Sequence, residues 1–347
     1  MKYLIGLLKI IVIPFALLYG LIIEIRNILY DLKIMPITKY AVPVISVGNL
    51  TVGGTGKTPF IIMLSRLLNT YGKRIAIVSR GYGRKSRGAV LVSDGENILA
   101  PADISGDEPQ LIARKLPFAI VAVAEKRKQA IDMILAKFQP QVILMDDGFQ
   151  HRSVHRDMDI VLWNVQDHFY FNLPLPSGNL REFQYRIKRS DFIFLTKSGG
   201  KSERIKLETD IPLFEVKSGI EKLMSVEFKE AGRLSSLKGK RVAAFAGLAH
   251  PEEYETMLRE AGVDLVFFKK YKDHHDYSIK EVDGMITECI GLGAEYLLCT
   301  EKDMIKIRPL KPDIPENFHL LCISLEMEIV DGKIFLEKLR HLVDRQA

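Results

Sequence analysis

The most constraining feature of this chain is a glycine-rich turn between an apolar run and an amphipathic one. Residues Val42 to Val47, VPVISV, are β-branched and apolar, which is typical of a buried parallel strand. The turn, Gly48 to Pro59, reads GNLTVGGTGKTP, and Phe60 to Leu68 then has helical apolar spacing. A strand, a glycine turn and a helix in this order predict a phosphate-binding loop, because the N–H groups of the turn and of the helix start converge on one anion.

This loop departs from the usual pattern G-x-x-x-x-G-K-[ST], because Thr51 stands where the first glycine is expected. The inner glycines still leave the loop free to curl. Lys57 is placed to reach the β- and γ-phosphates of a nucleotide, and Thr58 to ligate Mg²⁺. The alternative is a strand-to-helix turn without a ligand. The predicted nucleotide site comprises Gly53, Gly54, Thr55, Gly56, Lys57 and Thr58.

Apolar runs of strand length alternate with helical patterns along most of the 347 residues. This alternation predicts an α/β fold with two doubly wound α/β domains, the first a P-loop NTPase-like core. We expect an N-terminal apolar membrane-associating helix at 1–35, the P-loop core at 36–200 and a second α/β domain at 201–347. The boundary is placed in the polar segment SGGKSE that begins at Ser198.

The N-terminal run from Leu4 to Ile23, LIGLLKIIVIPFALLYGLII, carries Lys9 as its one charge. It just reaches the length of about 20 apolar residues that a membrane span needs. Lys9, Pro14 and the polar residues that follow favour a helix lying in the membrane interface. A single span and a buried core helix are the alternatives. Membrane contact is the expectation.

Composition narrows the classes further. With 47% hydrophobic and 27% charged residues the chain has the composition of a soluble globular protein, which excludes a disordered or multi-span membrane protein. The net charge of +6 suits an anionic partner without choosing among nucleotide, phospholipid and nucleic acid. The spacing of Cys289, Cys299 and Cys322 is neither a zinc pattern nor a disulfide framework, so we expect a reducing cytosol.

Acidic pairs occur at two places where a ligand is expected. Asp146 and Asp147 end the apolar strand VILMD, on the side of an open α/β sheet where ligands bind. We interpret them as ligands of Mg²⁺ or of its bound water, with turn capping as the alternative. Asp107 and Glu108 begin a predicted helix, where capping is again the alternative. In the functional interpretation Asp107 accepts a substrate proton and Glu108 is a metal or water ligand.

Histidine and arginine residues suggest proton transfer and phosphate binding. In Asp273-His274-His275 a histidine next to an aspartate can share proton transfer with another carboxylate. Arg181, followed by Glu182, offers a guanidinium for a phosphate. His151, in DDGFQH, is interpreted as a phosphate contact or as a residue that orients a carboxylate, with a surface histidine as the alternative.

Two further segments carry weaker signals. The tetrapeptide T-E-K-D, Thr300 to Asp303, follows an apolar strand and is offset from the base-binding T/N-K-x-D pattern of nucleotide hydrolases. We interpret it as a nucleotide contact. A basic glycine-bearing loop after the second strand is either solvated or a landing site for an anionic headgroup. Its charged members are Arg80, Arg84, Lys85 and Arg87.

Taken in order, GNLTVGGTGKTP, SRGYGR, GDEP, DDGFQH, LRE and DHH resemble the tetraacyldisaccharide 4′-kinase family of lipid A biosynthesis. The resemblance covers most of the chain. It implies an enzyme that transfers the γ-phosphate of ATP, with Mg²⁺, to the 4′-hydroxyl of tetraacyldisaccharide 1-phosphate. It also implies a location at the cytoplasmic face of the inner membrane, peripheral or anchored by one helix. Neither nucleic acid nor an obligate protein partner is expected.

The resemblance also implies roles for individual residues. Lys57 and Thr58 would serve the ATP phosphates and the metal, and Asp107 would be the base, paired with His274. Three departures, LREF, AGLAHP and YKDHHDY, leave His274 versus His275 open. The residues implied to act around Mg²⁺ are Thr58, Glu108, Asp146 and Asp147, and those implied to line the reaction centre are His151, Arg181 and Glu182.

Two other classes compete with a lipid kinase. One is a P-loop nucleotide hydrolase that acts as a membrane-associated switch or chaperone, which would not explain the membrane-seeking N-terminus. The other is a membrane-anchored binding module whose glycine loop is only structural. ATP consumption that requires a disaccharide lipid would separate the kinase from both.

Overall fold

A computed structural model describes residues 11–165, 172–197, 209–218 and 222–344. Two sheets organise this part of the chain. The strands in chain order are β1 Val44–Gly48, β2 Ile75–Ser79, β3 Val90–Asp94, β4 Ile120–Val123, β5 Val142–Asp146, β6 Met158–Asn164, β7 Phe192–Thr196, β8 Leu213–Ser218, β9 Lys222–Met224, β10 Glu230–Arg233, β11 Arg241–Ala246, β12 Asp264–Lys270, β13 Tyr296–Thr300, β14 His319–Ser324 and β15 Met327–Val330.

Helices connect most of these strands. In chain order they are α1 Ile13–Asp31, α2 Lys57–Thr70, α3 Ala102–Ser105, α4 Asp107–Lys115, α5 Arg127–Lys137, α6 Pro251–Glu260, α7 Ile279–Gly291, α8 Glu301–Ile307 and α9 Lys333–Asp344. Short 3₁₀ helices lie at Gln184–Arg189, Leu234–Leu237 and Arg308–Leu310.

The first sheet has the strand order β15-β8-β7-β6-β1-β5-β2-β4-β3 and is parallel except at its edge strands β3 and β15. Its central strands are buried along their whole length, as expected when helices cover both faces. Helices α2, α4 and α9 contribute Phe60, Ile112 and Phe335 to the core on one face. Helix α5 contributes Ile131 and Ile134 on the other.

The second sheet has the order β10-β9-β14-β13-β11-β12, with β9 antiparallel to both of its neighbours, β10 and β14. Helices α7 and α8 pack on one face through Met285 and Met304, and α6 packs on the other through Leu258. Helices therefore cover both faces of each sheet. The predicted α/β fold with two doubly wound units is confirmed.

Strand order brings the predicted site residues together. Strand β1 pairs with β5, and β5 pairs with β2, all parallel. The carboxyl ends of these three neighbours carry the glycine loop after Gly48, the carboxylate of Asp146 and the basic loop after Ser79. Because parallel strands end at the same edge, three segments that are distant in sequence share one cleft.

The end of the chain returns to the first sheet. Strand β15 pairs with β8, and α9 buries Phe335, Leu339 and Val343 in the core shared with α2. The predicted limits 36–200 and 201–347 stay a prediction. Three elements beyond residue 200, namely β8, β15 and α9, nevertheless belong to the first sheet and its core.

Some local predictions differ from the structure. The sequence from Leu180 to Lys188 predicts a helix, but the structure is helical only at Gln184–Arg189, as a 3₁₀ turn. Leu180 instead bridges to Thr51 and Pro174, because this stretch is held in extended form against the glycine loop. Strands β8, β9, β10 and β15 were not predicted, and the last three have only 3, 4 and 4 residues. The segment SGGKSE lies outside the described residues.

Candidate active site

The glycine loop has the backbone that a phosphate site requires. Helix α2 begins at Lys57, and its N-cap Gly56 has the left-handed φ of 81°. Gly53 has a φ of 116°, and a Cβ placed on it or on Gly54 would meet no atom within 4 Å. The loop therefore curls around open space in front of a helix N-terminus, where an anion is stabilised.

Thr51, the residue that departs from the usual motif, has a structural explanation. It is buried and bridges to Leu180, while the neighbouring Val52 N–H donates to the Asn179 carbonyl at 2.8 Å. The start of the loop is thus anchored to the segment that carries Arg181. No left-handed conformation is needed at Thr51, so a glycine is not required there.

The loop lysine is held by polar neighbours. Lys57 Nζ donates to Asn49 Oδ1 at 3.2 Å and lies 3.5 Å from Asp147 Oδ1. Asp147 has a positive φ of 51°, and both its oxygens accept from Arg181 at 2.8 Å. Burial would raise the pKa of Asp147, but the charges of Lys57 and Arg181 hold it below its usual value. These three residues form one charged cluster.

Asp146 differs from its neighbour. Its side chain is buried, Oδ2 accepts from Ser79 Oγ at 2.9 Å, and Oδ1 has no hydrogen-bond partner. Burial raises its pKa to about 6, with the negative charges of Glu108 and Asp147 adding to the effect. A buried carboxylate oxygen without a partner is costly unless a ligand satisfies it.

Asp107 is the first residue of α4 and meets the second sheet's loops. Its Oδ2 lies 3.1 Å from His274 Nδ1 and 3.1 Å from Lys306 Nζ. Burial would raise the pKa of Asp107, but the hydrogen bond from His274 and the charge of Lys306 lower it. The pKa of His274 is raised, chiefly by its hydrogen bond to Asp107. The geometry therefore pairs these residues across the two sheets.

The two adjacent histidines point in different directions. His274 has a positive φ of 59° and faces Asp107. His275 stacks on Tyr271 with 4.5 Å between ring centroids, and its Nε2 lies 3.3 Å from Glu281 Oε1. The structure therefore brings His274, and not His275, to the cleft.

A cleft of about 710 Å³ connects the glycine loop, the carboxylates of Asp146 and Asp147, and His274. The glycine loop and the ends of β2 and β5 form one side, and the loops that carry Leu248 and His274 form the other. A smaller cavity of about 300 Å³ adjoins it at the start of α2, where Thr58 and Pro59 meet apolar side chains of α6. Leu248, His250 and Lys302 line both spaces.

This geometry can hold a nucleotide next to a proton acceptor, and the relatives of the chain agree. A family model described as LpxK, tetraacyldisaccharide-1-P 4′-kinase, matches residues 8–344. The chain belongs to the tetraacyldisaccharide-1-P 4′-kinase family.

Individual relatives are similar over nearly their whole length. A tetraacyldisaccharide 4′-kinase from Aquifex aeolicus is 38% identical over 333 residues, which cover 96% of this chain and 97% of that protein. One from Chlorobium phaeovibrioides is 36% identical over 346 residues, 96% of each chain. A crystal structure of LpxK from Aquifex aeolicus in complex with ATP has a TM-score of 0.82 at 34% identity, covering 97% of this chain and 99% of that one. The motif resemblance is confirmed, and the chain is a kinase of this family.

Within the kinase, Glu108 forms an ion pair with a residue of the second sheet's unit. That residue is Lys302, from the T-E-K-D segment. Burial would raise the pKa of Glu108, but the charge of Lys302 lowers it. The tetrapeptide that we interpreted as a nucleotide contact thus faces the cleft through Lys302. Asp303 is buried elsewhere, where it accepts from Tyr277 and Thr300.

The oxygen donors at the end of β5 fit a divalent cation. Among the described residues no group of three or more His, Cys, Asp or Glu side chains could hold a metal on its own. Mg²⁺ does not need such a group, since in kinase sites it binds one or two carboxylates together with phosphates and water. The unpartnered Oδ1 of Asp146 is a donor of this type, whereas Glu108 and Asp147 are already paired with cations.

Two side chains that the resemblance placed around the reaction centre point elsewhere. His151 Nε2 accepts from the N–H of Arg127, the first residue of α5, at 3.2 Å. Glu182 is buried among Arg189, Gln150 and Asn27. His151 thus caps a helix, and Glu182 anchors neighbouring segments, so neither side chain lines the cleft.

The N-terminal helix contributes to the cleft, which the sequence patterns did not indicate. Tyr19, Ile23 and Arg26 line it. The Tyr19 hydroxyl donates to the Arg181 carbonyl at 3.1 Å, and Asn27 Nδ2 donates to Glu182 Oε2 at 2.9 Å. The only sequence signal was the change from an apolar to a mixed composition after Ile23. Helix α1 is therefore part of the catalytic body.

The basic loop after β2 divides into two roles. Arg80 lines the cleft. Arg84 pairs with Glu125 and donates to the Gly88 carbonyl, so it shapes the loop itself. The expectation that this loop receives an anionic headgroup stays a prediction, and Arg80 is the member placed to do so.

Proposed function

We propose that this kinase transfers the γ-phosphoryl group of ATP to the 4′-hydroxyl of tetraacyldisaccharide 1-phosphate in lipid A biosynthesis. The observation that carries the proposal is that His274, which contacts Asp107, lines the same cleft as the phosphate loop. An acceptor bound between them would have a proton acceptor on one side and the phosphate loop on the other.

The nucleotide is assigned to the loop and the cavity beside it. The phosphates would lie on the N–H groups from Gly53 to Thr58, with Lys57 as the counter-charge. The purine base would enter the smaller apolar cavity next to Pro59, between Ile62 and Tyr254. Apolar walls with few polar groups are typical of such base sites.

Mg²⁺ is proposed as the cofactor. Asp146 and Thr58 would hold it, with Glu108 and Asp147 close to its phosphate and water ligands. When bound, the cation neutralises charge that develops on the transferred phosphoryl group. The Thr58 side chain is buried at the start of α2, next to the phosphate loop.

The chain's own residues supply positioning and proton transfer. As the acceptor oxygen bonds to the γ-phosphorus, the bond to the leaving ADP oxygen breaks, and the hydroxyl proton passes to Asp107. His274 holds that carboxylate through its Nδ1. Lys57 and Arg181 face the charge on the phosphates. The catalytic set is therefore Asp107, His274, Lys57 and Arg181.

An acceptor that carries acyl chains would account for the apolar surface of helix α1. Of the described residues, α1 is the one helix long and apolar enough to cross a membrane, and 22% of its apolar window is buried in the protein. One face packs on the body through Ala16, Gly20, Asn27 and Tyr30. The opposite face exposes apolar side chains, among them Phe15, Leu18, Leu21, Ile22 and Ile25.

Because one face of α1 packs on the body and the opposite face exposes apolar side chains, we expect the helix to lie on the membrane. The stretch from Ala16 to Tyr30 docks along the body, so it cannot also be surrounded by lipid as part of a span of about 20 residues. Its exposed apolar face would enter the interface. We therefore place the kinase peripherally at the cytoplasmic face of the inner membrane, with the cleft open to lipid beside Tyr19 and Ile23.

The test is a phosphate-transfer assay with purified tetraacyldisaccharide 1-phosphate, ATP and Mg²⁺. We expect ATP consumption to require the lipid and the product to carry a new phosphate on the 4′-oxygen. ATP hydrolysis at full rate without lipid would favour the hydrolase switch instead. A chain that binds no nucleotide would favour a binding module.

A further inference from the structure

Lys306 contacts the predicted base but belongs to no motif that the sequence singled out. It lies in α8, one helical turn after Lys302, and its side chain is 12% exposed. Its Nζ lies 3.1 Å from Asp107 Oδ2 and donates to the backbone carbonyl of His275 at 2.9 Å. A more distant carboxylate, that of Asp276, is 3.9 Å away and fully exposed.

These contacts join three segments. Asp107 begins α4 on the first sheet, His275 belongs to the loop that carries His274, and Lys306 lies on α8. The same oxygen, Asp107 Oδ2, lies 3.1 Å from both His274 Nδ1 and Lys306 Nζ. Removing the ammonium group would leave the carboxylate held from one side and the loop carbonyl without this donor.

We propose that Lys306 is a positioning residue for phosphoryl transfer, which holds the Asp107 carboxylate and the His274 loop in one arrangement. The inference rests on the proposed function, because it takes Asp107 as the proton acceptor. Lys306 acts through Asp107 and His274 and does not touch the substrate. A misplacement of the order of 1 Å in such a group can lower a rate by about 100-fold.

A simple interdomain ion pair is the competing explanation, and the chain offers a matched control for it. Lys115, also on α4, pairs with Glu301 at the start of α8, at 2.8 Å, and donates to Ser324 at 2.7 Å. Its side chain is 9% exposed. Lys115 thus links the same two helices as Lys306. It lies farther from the site, about 12 Å from Asp107 along α4 at 1.5 Å per residue.

The test compares Lys306→Met, Lys306→Arg and Lys115→Met in the full-length enzyme. We expect Lys306→Met to lower kcat about 10- to 100-fold, with the KM for ATP within about threefold of the wild type. Lys306→Arg should recover most of kcat, because a guanidinium can make both contacts. Lys115→Met should lower the melting temperature, because it breaks a largely buried ion pair, while keeping kcat within about twofold. Equal losses of kcat in the two methionine variants, or an unchanged kcat in Lys306→Met, would overturn the proposal.

A second measurement does not depend on activity. In protein labelled with ¹⁵N-histidine, the imidazole signals of His274, assigned through His274→Asn, should shift in Lys306→Met and not in Lys115→Met. Unchanged His274 signals in Lys306→Met would overturn the positioning role. If the His274 signals shift as expected in Lys306→Met but the wild-type enzyme phosphorylates no lipid, the proposed function alone would be overturned.

Discussion

At the scale of single residues, the carboxylates of the cleft differ in how they are neutralised. Asp107 faces Lys306 and His274, Glu108 faces Lys302, and Asp147 faces Arg181. Asp146 is buried with one oxygen unsatisfied. The cations beside the paired carboxylates lower their pKa values, whereas burial raises the pKa of Asp146 to about 6. This contrast separates the proposed base from the proposed metal ligand.

The base assignment predicts the behaviour of Asp107→Asn. The amide keeps the shape of the side chain but cannot accept the hydroxyl proton, so we expect kcat to fall about 10²- to 10⁴-fold. ATP affinity should change little, because the Asp107 side chain contacts His274 and Lys306 rather than the phosphate loop. Steady-state kinetics and nucleotide titration measure the two quantities.

His275→Asn is the control, since His275 faces Tyr271 and Glu281. We expect its kcat to stay within about threefold of the wild type. If Asp107→Asn lost ATP binding while each bound ATP still reacted at the normal rate, Asp107 would not be the base.

Some site residues could be predicted from the sequence and others could not. The carboxylates after β5 and at the start of α4 were found because strand ends and helix starts are local signals. The sequence could not decide between His274 and His275, because the two are adjacent and packing sets their backbone conformations. Asp107 and His274 are 167 residues apart, and no local pattern encodes that contact.

At the scale of elements, α5 depends on His151 for its N-terminal cap. Burial lowers the pKa of His151 to about 4, and the charge of Arg127 adds to the effect. The folded state needs the neutral ring, because Nε2 accepts the Arg127 N–H. The unfolded chain, with a pKa of 6.5, binds the proton earlier. The contribution of His151 to stability is therefore present above pH 6.5 and is lost as the pH falls toward 4.

His151→Gln tests this prediction, since glutamine can accept the same hydrogen bond and does not titrate. We expect the wild type to lose several degrees of melting temperature relative to the variant between pH 7.5 and pH 5, by the linkage relation. Differential scanning fluorimetry across this pH range gives the comparison. A constant difference between the two proteins would mean that His151 keeps its proton equilibrium on folding.

Helix α1 combines an anchor with a wall of the cleft, so its deletion would disturb both. Replacing exposed positions separates them. We expect the triple change Phe15→Ser, Leu18→Ser and Ile22→Ser to abolish sedimentation with anionic vesicles, because it removes the apolar face that would enter the interface. Activity on detergent-dispersed lipid should persist, because Tyr19 and Asn27 are kept.

The control for this triple variant removes three exposed apolar side chains from the second unit: Ile279, Ile290 and Leu292. That variant should sediment like the wild type. If the α1 variant still pelleted with vesicles, the helix would not be the main membrane contact.

At the scale of the whole molecule, the last helix completes the core of the first sheet. Phe335 on α9 is fully buried, and its ring lies 5.2 Å from that of Phe192 and 4.9 Å from that of Phe194. Met327 on β15 reaches the phosphate loop, where a Cβ at Gly56 would lie 2.5 Å from its Cε. The C-terminal elements β15 and α9 therefore support the phosphate loop and the first sheet's core.

Phe335→Ala should consequently destabilise the first sheet's unit, although residue 335 is almost the end of the chain. Removing a buried phenylalanine costs about 3–5 kcal/mol. The single tryptophan, Trp163, lies buried in β6, so its fluorescence during urea unfolding reports on that unit. The neighbouring Ile334 is 55% exposed, and Ile334→Ala should change stability by less than about 0.5 kcal/mol. Equal midpoints for Phe335→Ala and the wild type would contradict the packing role.

Local chemistry alone was enough to predict the α/β class, the phosphate loop, the carboxylates after β5 and the Asp107 helix start. Each of these depends on neighbours in sequence: a glycine turn, a strand end or the N–H groups of a first helical turn. Packing decided the rest. It turned His274 toward Asp107 and His151 toward α5, placed α1 along the cleft, returned α9 to the first core and brought Lys306 to the base. Those outcomes depend on contacts between residues far apart in the chain, which only the folded arrangement of the two sheets creates.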